Sequence, residues 1–297
     1  MSIGKVNIVE VGPRDGLQNI KEFIPTEHKI AFIERLVNAG CRRIEVASFV
    51  RPDLVPQMSD AREVCVGHSQ RESVRYSVLI ANSAGWDRAL IAGGFDEIAF
   101  VAAASETFSN RNTKKSTTES LRELLKIAKH AECHDLFMRG YVSTAFNCPY
   151  EGKISLQKVL DVTTALFELG VYEVSLADTI GTARPDEVSA LLDVVLARHD
   201  ASRLALHMHD THGIALANIE RGYALGIRTF DSSAGGLGGC PFAKVSVGNV
   251  ATEDVVDFFE KRNITTGIDI AKLVNASRYM ESVLGRELPS RYLRSLK

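Results

Sequence analysis

The sequence predicts an α/β fold, a (β/α)8 TIM barrel with an additional C-terminal helix packed against it, on three observations. Short apolar runs alternate with helix-length amphipathic stretches along the whole chain. Several of these runs are nearly continuously apolar, as strands covered on both faces must be. Glycine follows several of the helical stretches, at Ala39-Gly40, Ala92-Gly93-Gly94, Leu169-Gly170 and Leu225-Gly226. Each of these glycines suits a left-handed C-cap that turns the chain into the next strand.

In order, strands are expected at 6–11, 43–47, 76–80, 97–102, 136–142, 172–176, 204–209 and 229–233. Helices are expected between and after them, near 27–38, 59–67, 84–92, 116–131, 155–169, 185–198, 214–225 and 250–261. An open doubly wound sheet is the competing arrangement, and eight successive βα units favour the barrel over it. Residues 268–285 read as a further helix against the barrel. No linker, low-complexity segment or repeat beyond the βα rhythm interrupts 1–297, so one catalytic domain is expected.

Composition narrows the function classes. A hydrophobic share of 45% and a charged share of 24% are ordinary for a soluble protein with a substantial core. The formal net charge of −2 gives no reason to expect a nucleic acid or a membrane surface as partner. No apolar run approaches the roughly 20 residues that span a bilayer. The first residues pass directly into a strand-like run, so no targeting peptide is expected. The five cysteines, at 41, 65, 133, 148 and 240, are scattered and odd in number. That argues against a disulfide framework and for a cytoplasmic location.

In a barrel, reacting groups gather at the C-terminal ends of the strands. The first strand ends in Val11-Gly12-Pro13-Arg14-Asp15-Gly16-Leu17-Gln18-Asn19. A carboxylate beside a guanidinium in a glycine-bearing turn can ligate a cation and leave Arg14 for an anion; alone, it is as readily a surface ion pair in a β-turn. The seventh strand ends in His207-Met208-His209-Asp210. Side chains alternate along a strand, so His207 and His209 point the same way, into the barrel mouth. The eighth leads into Ala234-Gly235-Gly236-Leu237-Gly238-Gly239-Cys240-Pro241, a glycine-rich loop with Cys240 at its tip. Such a loop either closes over a substrate and delivers a thiol, or carries an incidental cysteine. Asn249 is either the N-cap of a helix starting near Val250 or a further metal ligand. Asp15, His207, His209 and Asn249 together offer two nitrogens and two oxygens, a set suited to six-coordinate Mg²⁺ or Mn²⁺ with two positions left for substrate oxygens.

Absences also discriminate. Neither the fifth nor the sixth strand carries a lysine, which a Schiff-base aldolase would need there. No phosphate-binding Gly-x-x-x-x-Gly-Lys-Ser/Thr loop and no convincing dinucleotide fingerprint is present, which disfavours cofactor redox chemistry.

The segments VEVGPRDGLQN, IEVASFVRPDLVPQM, AAASETFSNRN, RGYVSTAFNCPYEGKIS, YEVSLADTIGTA, HMHDTHGIALAN, DSSAGGLGGCPFA and GNVATEDVV stand in one register. With them the chain resembles the 3-hydroxy-3-methylglutaryl-CoA lyase family of DRE-TIM metallolyases over essentially its whole length. The resemblance implies divalent-metal-dependent cleavage of 3-hydroxy-3-methylglutaryl-CoA to acetyl-CoA and acetoacetate. It implies Asp15, His207, His209 and Asn249 as ligands of Mg²⁺ or Mn²⁺, Arg14 as the group that stabilises the enolate oxygen, and Cys240 as the catalytic cysteine. Glu45, Asp178 and Glu253 fall where the family carries acidic residues of the active site or its supporting shell. Gln18 and Ser48 are expected to line the substrate site. Either Asp15 or His209 takes the tertiary hydroxyl proton, and Cys240 protonates the acetyl-CoA carbanion. An acyl-CoA substrate, a homodimer and a place in leucine catabolism or a terpenoid equivalent follow from the same resemblance.

Some positions depart from the family pattern. Ala177 stands where glycine often precedes Asp178, His212 where tyrosine is common, Thr144 and Asn147 alter the loop before Cys148, and Arg51-Pro52-Asp53 differs from the usual Ser-Pro-Lys. They leave a longer 3-hydroxy-3-alkylglutaryl-CoA open as substrate. A Claisen-condensing acyltransferase of the same fold is the alternative reaction, and a non-catalytic acyl-CoA-binding or metal-binding barrel is the alternative class.

Overall fold

Eight strands pair in parallel and close on themselves in a computed structural model that describes residues 4–238 and 248–297. The chain runs β1 (Asn7–Glu10), α1 (Thr26–Ala39), β2 (Arg43–Ser48), α2 (Ala61–Gly67), β3 (Arg75–Leu79), α3 (Ser83–Ala92), β4 (Glu97–Ala103), α4 (Glu106–Thr113), α5 (Thr117–Glu132) and β5 (Phe137–Ser143). It continues through β6 (Asn147–Cys148), β7 (Gly152–Lys153), α6 (Leu156–Glu168), β8 (Glu173–Asp178), α7 (Pro185–Leu196), β9 (Leu204–Met208), α8 (Ala215–Ala224), β10 (Thr229–Ser232), α9 (Thr252–Glu260), α10 (Ile270–Leu284) and α11 (Arg291–Ser295). The barrel order is β1-β10-β9-β8-β5-β4-β3-β2, while β6 and β7 form a separate antiparallel hairpin. This is the (β/α)8 barrel expected, and α10 lies against α1 as the additional helix.

Local chemistry explains the element ends. α5 starts in a reciprocal capping box between Ser116 and Glu119. The Asp269 carboxylate accepts from the backbone N–H groups of Ala271 and Lys272 and so opens α10. α1 ends at Gly40, whose φ is +104° and whose missing Cβ would fall 2.5 Å from the Gly267 carbonyl oxygen, so no other residue fits.

The structure corrects the sequence reading in detail. The Gly12–Gly16 segment, expected as a glycine-bearing turn, is a π-helical turn. π-Helical geometry recurs at functional sites. The helix expected from 250 begins at Thr252, with Ala251 and not Asn249 at its N-cap. α4, α11 and the β6–β7 hairpin were not anticipated, because each is too short to show a hydrophobic period.

The barrel interior carries charge. Arg139 of β5 is 1% exposed and donates to Glu173 at 2.7 Å and to Asp231 at 2.8 Å. Arg43 of β2 meets the same Glu173 at 2.8 Å, and Tyr172 donates to Glu97 at 2.6 Å. Buried ions survive only when paired in this way. Register aligns them, since Arg139 stands opposite Glu173 and Asp231 opposite His207 on neighbouring strands.

Candidate active site

The π-helical turn after β1 turns both Arg14 and Asp15 into the mouth of the barrel. No Cβ can be added at Gly16, where it would lie 2.7 Å from the Ser233 hydroxyl and 2.9 Å from Leu237, so the close approach of this turn to the β10 loop requires glycine. Arg14 is buried and donates through Nε to Glu45 and through Nη1 to Asp15 at 2.5 Å. Tyr141 of β5 donates to the other Glu45 oxygen at 2.6 Å. Burial opposes the Arg14 charge, but Glu45 and Asp15 together hold it protonated more firmly than usual. Burial likewise opposes the Asp15 charge, but Arg14, with His207, His209 and the Asn249 amide, outweighs it and lowers this carboxyl to about 2.

His207 lies in β9 and His209 just beyond it, and their Nε2 atoms come within 3.2 Å of each other. With an Asp15 oxygen, these ligand atoms all lie within 4.8 Å of one another. Burial, then the neighbouring His207, lowers the His209 pKa to about 4, so its ring is neutral at physiological pH with a lone pair to offer. His207 Nδ1 faces Asp231 Oδ2 at 3.3 Å, and Asp231 is itself fastened by Arg139 and by the Ser175 hydroxyl at 2.7 Å. A carboxylate behind a ligating imidazole is the usual way a protein orients the ring.

Asn249 reaches the same place from the far end of the chain. Residues 248–250 pair antiparallel with the end of β9: Val250 N–H donates to the Met208 carbonyl at 3.1 Å and Asp210 N–H to Gly248 at 2.8 Å. The Asn249 amide nitrogen then donates to Asp15 at 2.7 Å and to the Leu237 carbonyl at 3.2 Å, which leaves its amide oxygen as the atom suited to a cation. The donor set fits a hard divalent cation held by two imidazoles, a carboxylate and an amide.

Other expected site residues are placed differently. Gln18 donates to Asp15 at 3.0 Å and belongs to the cluster. Asp178 is buried beneath the loop after β8, where it accepts from the N–H groups of Thr182 at 3.1 Å and Ala183 at 2.9 Å. Burial raises its carboxyl to about 6. Glu253 accepts from Gly235 N–H at 2.8 Å and from the Ser277 hydroxyl, which ties the base of the glycine-rich loop to α10; burial lifts it to about 8. Both acids are spent on backbone N–H groups, of the loop after β8 and of the stem of the glycine-rich loop. Ser48 is buried with its hydroxyl on the Leu79 carbonyl at 3.3 Å, within the barrel wall and outside the cluster. Cys240 lies outside the described residues; the stem before it reaches Gly238, where a Cβ would stand 2.7 Å from the Asn249 amide.

Sequence reasoning missed Tyr141, Asp231 and Arg139. An arginine inside the otherwise apolar β5 and an aspartate inside β10 were the available signals, because a charge in a barrel strand must find a partner.

Comparison with known proteins shows the family. The HMGL-like family profile matches residues 5–280. The hydroxymethylglutaryl-CoA lyase YngG of Bacillus subtilis is 45% identical over 293 residues, which cover 99% of this chain and 98% of that protein. A crystal structure of hydroxymethylglutaryl-CoA lyase from Pseudomonas aeruginosa is 44% identical, with a TM-score of 0.96, covering 100% of this chain and 99% of that one. A 36% identical HMG-CoA lyase from Acinetobacter baumannii, solved with coenzyme A and 3-methylmalate, superposes with a TM-score of 0.94 over 99% of this chain and 96% of that one. With the barrel, the cation cluster and these likenesses in agreement over nearly the whole chain, the protein belongs to the HMGL-like family.

Proposed function

We propose that this protein is a carbon–carbon lyase that cleaves 3-hydroxy-3-methylglutaryl-CoA into acetyl-CoA and acetoacetate with the help of Mg²⁺ or Mn²⁺. The observation that carries this reading is the convergence of Asp15, His207 and His209 beside a buried arginine at the C-terminal mouth of the barrel.

A divalent cation held by Asp15, His207, His209 and Asn249 would lower the pKa of the substrate's tertiary hydroxyl. Either Asp15 or His209 would take that proton. Arg14, prevented from turning away by Glu45 and Asp15, presents a fixed positive charge to the thioester oxygen, where enolate charge develops as the C2–C3 bond breaks. Glu45 is in turn set by Tyr141. Cys240 protonates the acetyl-CoA carbanion; the Gly-Gly-Leu-Gly-Gly-Cys-Pro segment supports that role, and Glu253 secures the stem that carries it. Gln18 keeps Asp15 oriented toward the cation, and Asp178 holds the loop after β8.

We further propose a homodimer in the cytoplasm, acting in leucine breakdown, with 1–297 as one catalytic domain. Among the described residues no helix is long and apolar enough to cross a membrane, and Cys41, Cys65, Cys133 and Cys148 are all free. The test is acetyl-CoA release from 3-hydroxy-3-methylglutaryl-CoA and from longer 3-alkyl analogues, with and without Mg²⁺ or Mn²⁺. Release from the methyl substrate that depends on the cation is expected. Consumption of acetyl-CoA with a 2-oxoacid, or turnover of the longer analogues alone, would overturn the assignment.

A further inference from the structure

A cavity of about 550 Å³ opens at the end of the barrel opposite His209 and Asn249, where the strands begin. Its walls include Arg42, Arg43, Arg71 and Arg75, against the acids Glu72 and Asp96. Asp96 is partly spent on the backbone N–H of Tyr76, at 3.1 Å. We propose that this cavity is a binding site for a small multivalent anion, of the phosphoanhydride or polycarboxylate class.

The arginine donors are only partly committed. Arg75 is held by stacking on Phe137, 3.6 Å from the ring centroid, and by a long ion pair of 3.7 Å to Glu97. Stacking fixes the plane of a guanidinium and leaves its N–H edge available to an oxyanion. Arg43 binds Glu173 and Tyr172 through its two terminal nitrogens, while its Nε is buried with no hydrogen-bond partner. Arg43 thus lines the cavity with one buried N–H unmet, an unfavourable state for a donor. Arg42 spends Nη1 on two carbonyls at 3.3 Å, and Arg71 makes a single 3.3 Å contact with Glu34 at the rim. Arg42, Arg71 and Arg75, whose guanidiniums are only partly engaged, together match a ligand carrying several oxyanions, because a planar fork engages two oxygens.

The site is distinct from the cation cluster, and its test is independent of the lyase reaction. Calorimetry and thermal unfolding of the full chain are run without divalent metal, at constant ionic strength. Pyrophosphate serves as the phosphate source, citrate as the carboxylate source and chloride as the monovalent control. Saturable binding of pyrophosphate or citrate is expected, and whichever binds more tightly identifies the chemistry. In the Arg42→Glu/Arg71→Glu variant, which alters only rim side chains, Kd should rise at least tenfold. The Lys272→Glu variant, which reverses a surface charge on α10, should bind as the parent does. Binding of neither probe beyond the chloride control, or equal affinity in the rim variant, overturns the proposal. Because Arg43 and Arg75 stay intact in the rim variant, an unchanged melting temperature without ligand shows that the fold survives.

Discussion

Asp231→Asn tests the link between the barrel interior and the proposed cation site. In the folded protein Asp231 is 1% exposed, holds Arg139 at 2.8 Å and Ser175 at 2.7 Å, and faces His207 Nδ1 at 3.3 Å. Burial opposes its charge, yet Arg139 holds its carboxyl well below the usual carboxylate range. The amide keeps the shape and removes the charge, leaving Arg139 with Glu173 as its remaining acidic partner. Breaking a buried ion pair by neutralising one member costs about 3–5 kcal/mol, and the surviving Glu173 contact places this case near 3 kcal/mol. At about 2.1 cal/mol/K of unfolding entropy per residue, a chain of 297 residues should lose about 5 °C in Tm. Loss of the carboxylate behind a ligating imidazole should also weaken Mn²⁺ affinity by about 10–100-fold. Thermal unfolding without metal and Mn²⁺ titration by calorimetry measure the two effects separately. The Arg139→Gln variant and the double variant complete a cycle whose coupling should exceed about 1 kcal/mol. A Tm within 1 °C and a Kd within twofold of the parent would refute the reasoning, since neither charge balance nor ring orientation would then depend on Asp231.

Other expectations follow from the site. Arg14→Lys keeps the charge but loses the fork that spans Glu45 and Asp15, so kcat should fall by about 10²–10³ with a smaller change in KM, in steady-state assays. Cys240→Ser should retain cation and acyl-CoA binding by calorimetry while losing most turnover; full turnover would remove the thiol from the reaction. Glu253, held in the fold with a pKa of about 8 by burial, binds a proton that the unfolded chain releases near 4.5. Its contribution to stability is therefore full below about pH 4.5 and declines up to about pH 8. Glu10, raised to about 7 by burial, acts in the same direction. Tm should fall between pH 6.5 and 8, above the range in which His209, lowered to about 4, acts in the opposite direction, and Glu253→Gln should flatten that fall, as read by scanning calorimetry.

The fold was legible in the residues because a barrel strand and its covering helix each carry a periodic signature. The runs at 97–102 and 204–209 are apolar enough to announce burial on both faces, and β4 and β9 lie there. The paired imidazoles of His207 and His209 were legible for the same reason, since strand alternation places them on one side. The boundary of α9 was not, because Asn249 satisfies the local preference for an N-cap while a long-range bridge to His209 claims it instead.

By itself the sequence determined the βα rhythm, the Arg14-Asp15 turn, the two histidines and the glycine-rich stretch, all features whose cause lies within a few residues. Only the tertiary structure decided that Asn249 meets Asp15 across 234 positions of chain, that Tyr141 and Arg14 share Glu45, and that Asp231 stands behind His207. These contacts depend on strand register and barrel closure, which place residues from different βα units at one height. No local propensity encodes that height, because it is set by how all eight strands stagger around a shared core.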